Sequence, residues 1–128
     1  MWAKAKYFGD EEIASRILEA DTPMDCKQLG RIVKGYDDKQ WSLVRYSFMH
    51  DVNFEKYSQD FRLKARLLDE DFDGKTFVEA SPTDRVWGIG FAQVDAPDDE
   101  SKWQGQNLLG KAITQVRKEI LASQSRPC

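Results

Sequence analysis

The chain has 128 residues, 19 basic against 22 acidic side chains, a formal net charge of -3 and 41% hydrophobic residues. That length and balance fit one ordinary folded domain and exclude a disordered tail. They also argue against broad, salt-driven binding to a nucleic-acid backbone, and no apolar run approaches the roughly 20 residues a membrane-spanning helix needs.

The chain opens in helical pattern at Met1-Trp2-Ala3-Lys4-Ala5-Lys6-Tyr7-Phe8, with no capping residue ahead of it. Gly9 closes this first helix, and Asp10 caps a second that carries Ile13, Ile17 and Leu18. Thr22-Pro23 starts a third helix, which runs through Cys26 and Leu29 to Gly30 or slightly beyond. Gly35-Tyr36-Asp37-Asp38 is a turn-and-cap cluster. From Gln40 the apolar spacing of Trp41, Val44, Phe48 and Val52 predicts a long helix, with a break or offset at Asn53 and a continuation through Tyr57, Phe61 and Leu67-Leu68. Asp69 to Gly74 reads as a loop. Thr76 to Ala80 reads as a strand stopped by Ser81-Pro82, and Val86 to Phe91 as a second short apolar segment with two glycines. Asp95 to Lys102 is an acidic surface loop. A last helix opens at Asn107 with Leu109, Ile113, Val116 and Ile120 on one face, before a tail at residues 125–128.

The residue types bound the chemistry. The cysteines are Cys26 and Cys128, and the histidine is His50. No CxxC pair exists, so neither a disulfide framework nor a usual zinc site is expected. A Ser-His-Asp or Cys-His mechanism would rest on His50 alone and is set aside. No metal or other cofactor is expected, and catalysis would fall to carboxylates, amides, lysines and aromatic rings.

Three segments stand apart from plain core. In Glu79 to Gly90, Asp84 sits in a turn beside Trp87 and two glycines. A carboxylate beside apolar rings has a tunable pKa, as acid–base work requires; a turn Asp followed by a core Trp is the simpler reading. In Trp103 to Lys111, Gly105-Gln106-Asn107 at a helix start suits a phosphate or a ribose hydroxyl, or else Asn107 is an ordinary cap. Lys4 and Lys6 stand two apart, so at most one points into a pocket, and Trp41 either stacks on a planar base or begins a core stripe. His50 reads as a helix-surface or half-buried residue without chemical duty.

Several of these segments together carry a resemblance. Lys4 to Asp10, Cys26 to Arg31, Trp41, Asn53 to Asp60, Val78-Glu79-Ala80-Ser81-Pro82-Thr83-Asp84-Arg85-Val86-Trp87-Gly88-Ile89-Gly90, and Trp103-Gln104-Gly105-Gln106-Asn107-Leu108-Leu109-Gly110-Lys111 occur in the order and spacing of one family. The chain resembles the NADAR (YbiA-like) N-glycosidases nearly end to end. The Val78–Gly90 and Trp103–Lys111 motifs are specific, and the others are supportive.

The resemblance implies a hydrolase that breaks the C–N bond between a phosphorylated ribose and a base or amine. The substrate would be a ribosylamino intermediate of riboflavin synthesis or an ADP-ribosyl group on guanine, in nucleic acid for some members. It implies Asp84 as the acid–base or cation-stabilising carboxylate, and Trp41 and Trp87 as aromatic walls. Asn107 and the backbone of Gly105 and Gly88 would bind substrate, with Lys4 as a polar or phosphate-binding group in the pocket. The pocket is expected where Trp41, Asp84, Trp87 and Asn107 converge. The family pattern also carries a functional Glu upstream of the position of Met1, which no residue of this sequence matches. A catalytically impaired ADP-ribose- or nucleotide-binding protein of the same fold is therefore the alternative, whether by truncation or as a natural short form.

The expected fold is α+β: a single, mainly helical NADAR-like domain over residues 1–124, with a small β-sheet built partly from residues 76–80 and 86–91. An open edge on that sheet would invite self-association. The partners expected are a small phosphorylated ribosyl or nucleotide ligand or ADP-ribosylated nucleic acid, with no membrane. A cytoplasmic location follows by default from sparse cysteine and from an opening, MWAKAKYFGD, without an apolar signal segment.

Overall fold

Short polar residues at turn positions cut the first part of the chain into helices. Asp10 caps the helix Glu11–Leu18, its carboxylate accepting from the Ile13 N–H at 3.1 Å. Thr22 caps the helix Pro23–Arg31 by accepting from the Asp25 N–H at 3.1 Å, with Pro23 in the first helical position. In the computed structural model, which describes residues 1–124, these helices are α1 (Trp2–Tyr7), α2 (Glu11–Leu18), α3 (Pro23–Arg31) and the long α4 (Asp38–Gln59). The expected tail at 125–128 lies outside the described residues. The chain forms two compact units, Met1–Phe48 and Met49–Cys128.

In the first unit Ala5, Ile13, Ala14, Ile17 and Val33 make a buried core, with Phe8, Cys26 and Leu29 packed against it. Each isoleucine so buried contributes about 1.5–3 kcal/mol through removal of apolar surface from water. Asp10 joins the helices to the following turn, its second carboxylate oxygen accepting from the Lys34 N–H at 2.8 Å. The hydrogen bonds from Lys34 and Ile13 hold its carboxyl below the ordinary value.

The second unit is built from the end of α4, from α5 (Phe61–Leu67) and from α6 (Leu108–Gln124). Leu67, Val116 and Ile120 form its core, flanked by Phe54, Tyr57, Leu68, Phe77 and Ile113. Arg117 lies within the buried face of α6 and is 6% exposed. Its guanidinium donates to the carbonyls of Leu67 (3.0 Å) and Asp69 (3.1 Å) and pairs with Asp73, so the charge satisfies acceptors where α5 ends.

The expected offset at Asn53 does not occur. Asn53 sits inside α4, 6% exposed, and donates from its amide to the Met49 carbonyl at 2.8 Å. That bond back along the helix absorbs the polar group without stopping the helix. The interruption falls at Asp60, which caps α5 by accepting from the N–H groups of Arg62 and Leu63.

The α+β expectation also fails. Among the described residues there is no strand and no sheet. Residues 75–80 carry no regular secondary structure, and side chains of α6 and its cap take the place of a strand neighbour. The Phe77 N–H donates to Thr114 Oγ1 (2.9 Å) and the Glu79 N–H to Asn107 Oδ1 (3.0 Å), while Asn107 Nδ2 donates to the Phe77 carbonyl (2.9 Å). A carboxamide presents one donor and one acceptor side by side, as a strand edge does, so the backbone groups are satisfied without a ladder. Residues 86–91 are likewise irregular, because their carbonyls receive N–H groups from the segment entering α6.

His50 fastens α4 to α6. Its Nε2 lies 2.7 Å from Glu119 Oε2 and its Nδ1 lies 2.9 Å from Asp51 Oδ1. These bonds, that to Asp51 first, raise its pKa above the ordinary value against the effect of burial. A raised folded-state pKa stabilises the protein below the unfolded-state value of about 6.5, and that contribution is lost as pH rises through the folded-state value. The melting temperature of wild type is therefore expected to fall, relative to His50→Gln, as pH is taken upward through that window. Parallel thermal scans of the two proteins check this; parallel curves would contradict it.

Candidate active site

The loop from Glu79 to Gly90 is fastened to the start of α6 by backbone hydrogen bonds. The N–H groups of Gln106, Asn107, Leu108 and Leu109 donate to the carbonyls of Arg85 (2.8 Å), Gly88 (3.0 Å), Val86 (3.1 Å) and Trp87 (3.1 Å). The Gln104 N–H reaches the Ile89 carbonyl at 3.0 Å, and the Ile89 N–H reaches the Glu79 carbonyl at 3.0 Å. The N–H groups of Leu108 and Leu109, which would have suited a phosphate at the helix start, thus serve the loop.

Asn107 is the centre of this fastening. It is 0% exposed, adopts φ 52°, and has its carboxamide bonded to Phe77 and Glu79. It therefore positions the loop. Gly105 lets the two backbones approach. A Cβ there would collide with the Gly88 carbonyl oxygen and lie 2.9 Å from the Ile89 carbonyl carbon. Gly105→Ala is expected to cost about 1–3 kcal/mol, since backbone cannot step aside as a side chain can; urea denaturation measures it, and unchanged stability would contradict this packing. Gly88 is buried, with a Cβ position 2.8 Å from the Asp84 carbonyl oxygen and 2.9 Å from that of Glu79.

Asp84 is held in a tight turn. Its Oδ1 accepts from the N–H groups of Val86 (3.0 Å) and Trp87 (2.8 Å), and its own N–H donates to Ser81 Oγ (3.1 Å). Among the described residues no hydrogen bond uses Oδ2. One oxygen thus orients the carboxylate, and the other has no hydrogen bond within the described residues. Trp87 is half-buried, and among the described residues its ring has no aromatic partner and its indole N–H no acceptor. Glu79, also half-buried, has its carbonyl engaged by Ser81 and Ile89 and no hydrogen bond to its carboxylate among the described residues.

Lys4 and Trp41 belong to the first unit. Lys4 Nζ donates to the Gly30 carbonyl at 2.7 Å and lies 4.2 Å from the Tyr36 ring centroid. Burial lowers its pKa below the ordinary value, against the pull of Asp38. Trp41 is stacked on Phe48, with centroids 5.6 Å apart and planes at 21°, and touches Tyr7 and Phe8 at 6.0 and 6.2 Å. Trp41 is thus part of an aromatic cluster. Lys6 turns instead to Glu11 at 2.7 Å, so the two lysines do not share a face.

Sequence reasoning missed Ser81, whose hydroxyl fixes the Asp84 backbone; the Ser-Pro-Thr-Asp run was the available signal. Among the described residues no group of three or more His, Cys, Asp or Glu could hold a metal, and no helix is long and apolar enough to cross a membrane.

Residues 1–121 match the NADAR domain family. The chain belongs to that family. It is 38% identical over 91% of its length to N-glycosidase R617 of Acanthamoeba polyphaga mimivirus, covering 68% of that protein. Protein irg-1 of Caenorhabditis elegans is 39% identical over 97% of the chain, which covers 59% of it. N-glycosidase Npun_R5314 of Nostoc punctiforme is 31% identical over 87% of the chain, which covers 64% of it. The chain thus spans about three-fifths to two-thirds of these relatives. The NADAR match includes Lys4, Trp41, Asp84, Trp87, Gly88, Gly105 and Asn107.

Proposed function

We propose that the protein is an N-glycosidase that hydrolyses the C–N bond joining a phosphorylated ribose to a base or amine. The observation that carries this reading is Asp84: a carboxylate oriented through Oδ1 by two backbone N–H groups, with no hydrogen bond to Oδ2 among the described residues. Membership of a family whose relatives include two named N-glycosidases supports it.

Cleavage of such a bond passes through an oxocarbenium-like state with positive charge spread over C1′ and the ring oxygen. A fixed carboxylate stabilises that charge and takes a proton from the attacking water. The C1′–N bond breaks, the water oxygen bonds to C1′, and the leaving nitrogen ends with the proton. Trp87, half-buried beside the Asp84 turn, supplies a flat apolar face suited to a planar base. Asn107, Gly105 and Gly88 keep the Asp84 loop in register.

Two substrates fit this chemistry, a ribosylamino-pyrimidine phosphate and ADP-ribosylated guanosine. Each is incubated with the protein while free amine or base is followed by mass spectrometry, beside thermal scans with ADP-ribose. Release from either substrate is expected. A thermal shift with ADP-ribose but no release from either would contradict hydrolysis and leave a binding protein of the same fold.

A further inference from the structure

The α4 helix sets Asp38, Trp41 and Arg45 at positions i, i+3 and i+7, on one face. The other polar groups beside this face already have partners. Asp38 accepts from the Tyr36 hydroxyl at 2.7 Å. Lys4 lies over the Tyr36 ring and donates to Gly30. Arg45 is the exception. Its side chain is half-buried, its Nε is fully buried, and it has no hydrogen bond or ion pair among the described residues. Arg45 stands seven residues on from Asp38 along α4, Asp38 holds the Tyr36 hydroxyl, and Lys4 overlies the Tyr36 ring, on whose phenol the Arg45 charge also acts. A buried guanidinium N–H with no acceptor among the described residues is rare in folded proteins and calls for an explanation.

We propose that Arg45, together with Lys4, forms an anion subsite that takes the phosphate of a ribosyl ligand. The inference goes beyond the reading given under Proposed function and rests on it for the ligand class. Two cations suit a phosphate dianion, and the planar guanidinium can give two parallel N–H bonds to its oxygens. Phe8, Tyr36 and Trp41 line the same patch with aromatic surface, Phe8 lying 5.4 Å from Tyr36 and 6.2 Å from Trp41. The ligand is therefore a phosphate joined to a flat or apolar group, as in a nucleotide.

The test is calorimetric titration of the full chain, as wild type, Arg45→Met and Arg45→Lys, with ADP-ribose, ribose 5-phosphate and phosphate-free adenosine. Arg45→Met is expected to weaken both phosphorylated ligands by about tenfold or more and to leave adenosine unchanged. Arg45→Lys, which keeps the charge and loses the fork, should fall between. Circular dichroism confirms that each variant is folded. Ribose 5-phosphate binding as tightly to Arg45→Met as to wild type would overturn the subsite. So would equal weakening of adenosine, or failure of wild type to bind either phosphorylated ligand at millimolar concentration. The titrations need no turnover. Arg45-dependent phosphate binding without hydrolysis would sustain the subsite and sink the N-glycosidase reading alone.

Discussion

Asp84→Asn lowers kcat/KM for base release by about 10²–10⁴-fold while the melting temperature changes little. The two expectations come from different atoms. The asparagine oxygen can still accept from the N–H groups of Val86 and Trp87, as Asp84 Oδ1 does at 3.0 and 2.8 Å, so the turn survives. What is lost is the negative charge at the second oxygen, which the oxocarbenium-like state needs more than the ground state does. Initial rates on whichever substrate wild type cleaves, with circular dichroism on both proteins, measure this. Equal rates would remove Asp84 from the chemistry.

Asn107→Leu is expected to be the most destabilising change in the second unit. It keeps the side-chain volume roughly constant while removing the donor to the Phe77 carbonyl and the acceptor of the Glu79 N–H, in a site that is 0% exposed. Each orphaned group costs about 1–3 kcal/mol, and the branched side chain must also hold the φ of 52° that asparagine tolerates better. A loss of several kcal/mol corresponds to a melting temperature lower by about 10 °C or more in a chain of this size. Activity is expected to fall with it, because the lost carboxamide holds the Phe77–Glu79 segment that leads into the Asp84 loop. A Tm within about 2 °C of wild type would show that this segment does not need this partner.

The helices were legible because their signals are local. Asp10, Thr22 and Pro23 act within one turn of themselves, and the caps stand where the sequence puts them. The sheet was misread because extended conformation is local and pairing is not. Thr76 to Ala80 has a strand's composition, but its partners are Thr114 and Asn107, 28 to 37 residues away along the chain. Nothing in the local pattern tells a strand edge from a carboxamide. The motif around Asn107 was visible, yet an amide that binds backbone and one that binds ligand look alike in sequence. Arg117 was hidden inside an apolar stripe; its charge is balanced by carbonyls and an acid about fifty residues upstream. The turn around Asp84 was readable as a turn, though its closure on Oδ1, which leaves Oδ2 open, became visible only with the fold.

The central claim, that this NADAR chain breaks a ribosyl C–N bond with the Asp84 carboxylate, is tested most directly under single-turnover conditions. Wild type and Asp84→Asn are each mixed in excess over a ribosylamino-pyrimidine phosphate and over ADP-ribosylated guanosine, and the released amine or base is quantified with time. Wild type is expected to convert one of the two to completion, with the variant slower by about 10²–10⁴-fold. Intact substrate in both wild-type reactions, or equal rates for the two proteins, would contradict it.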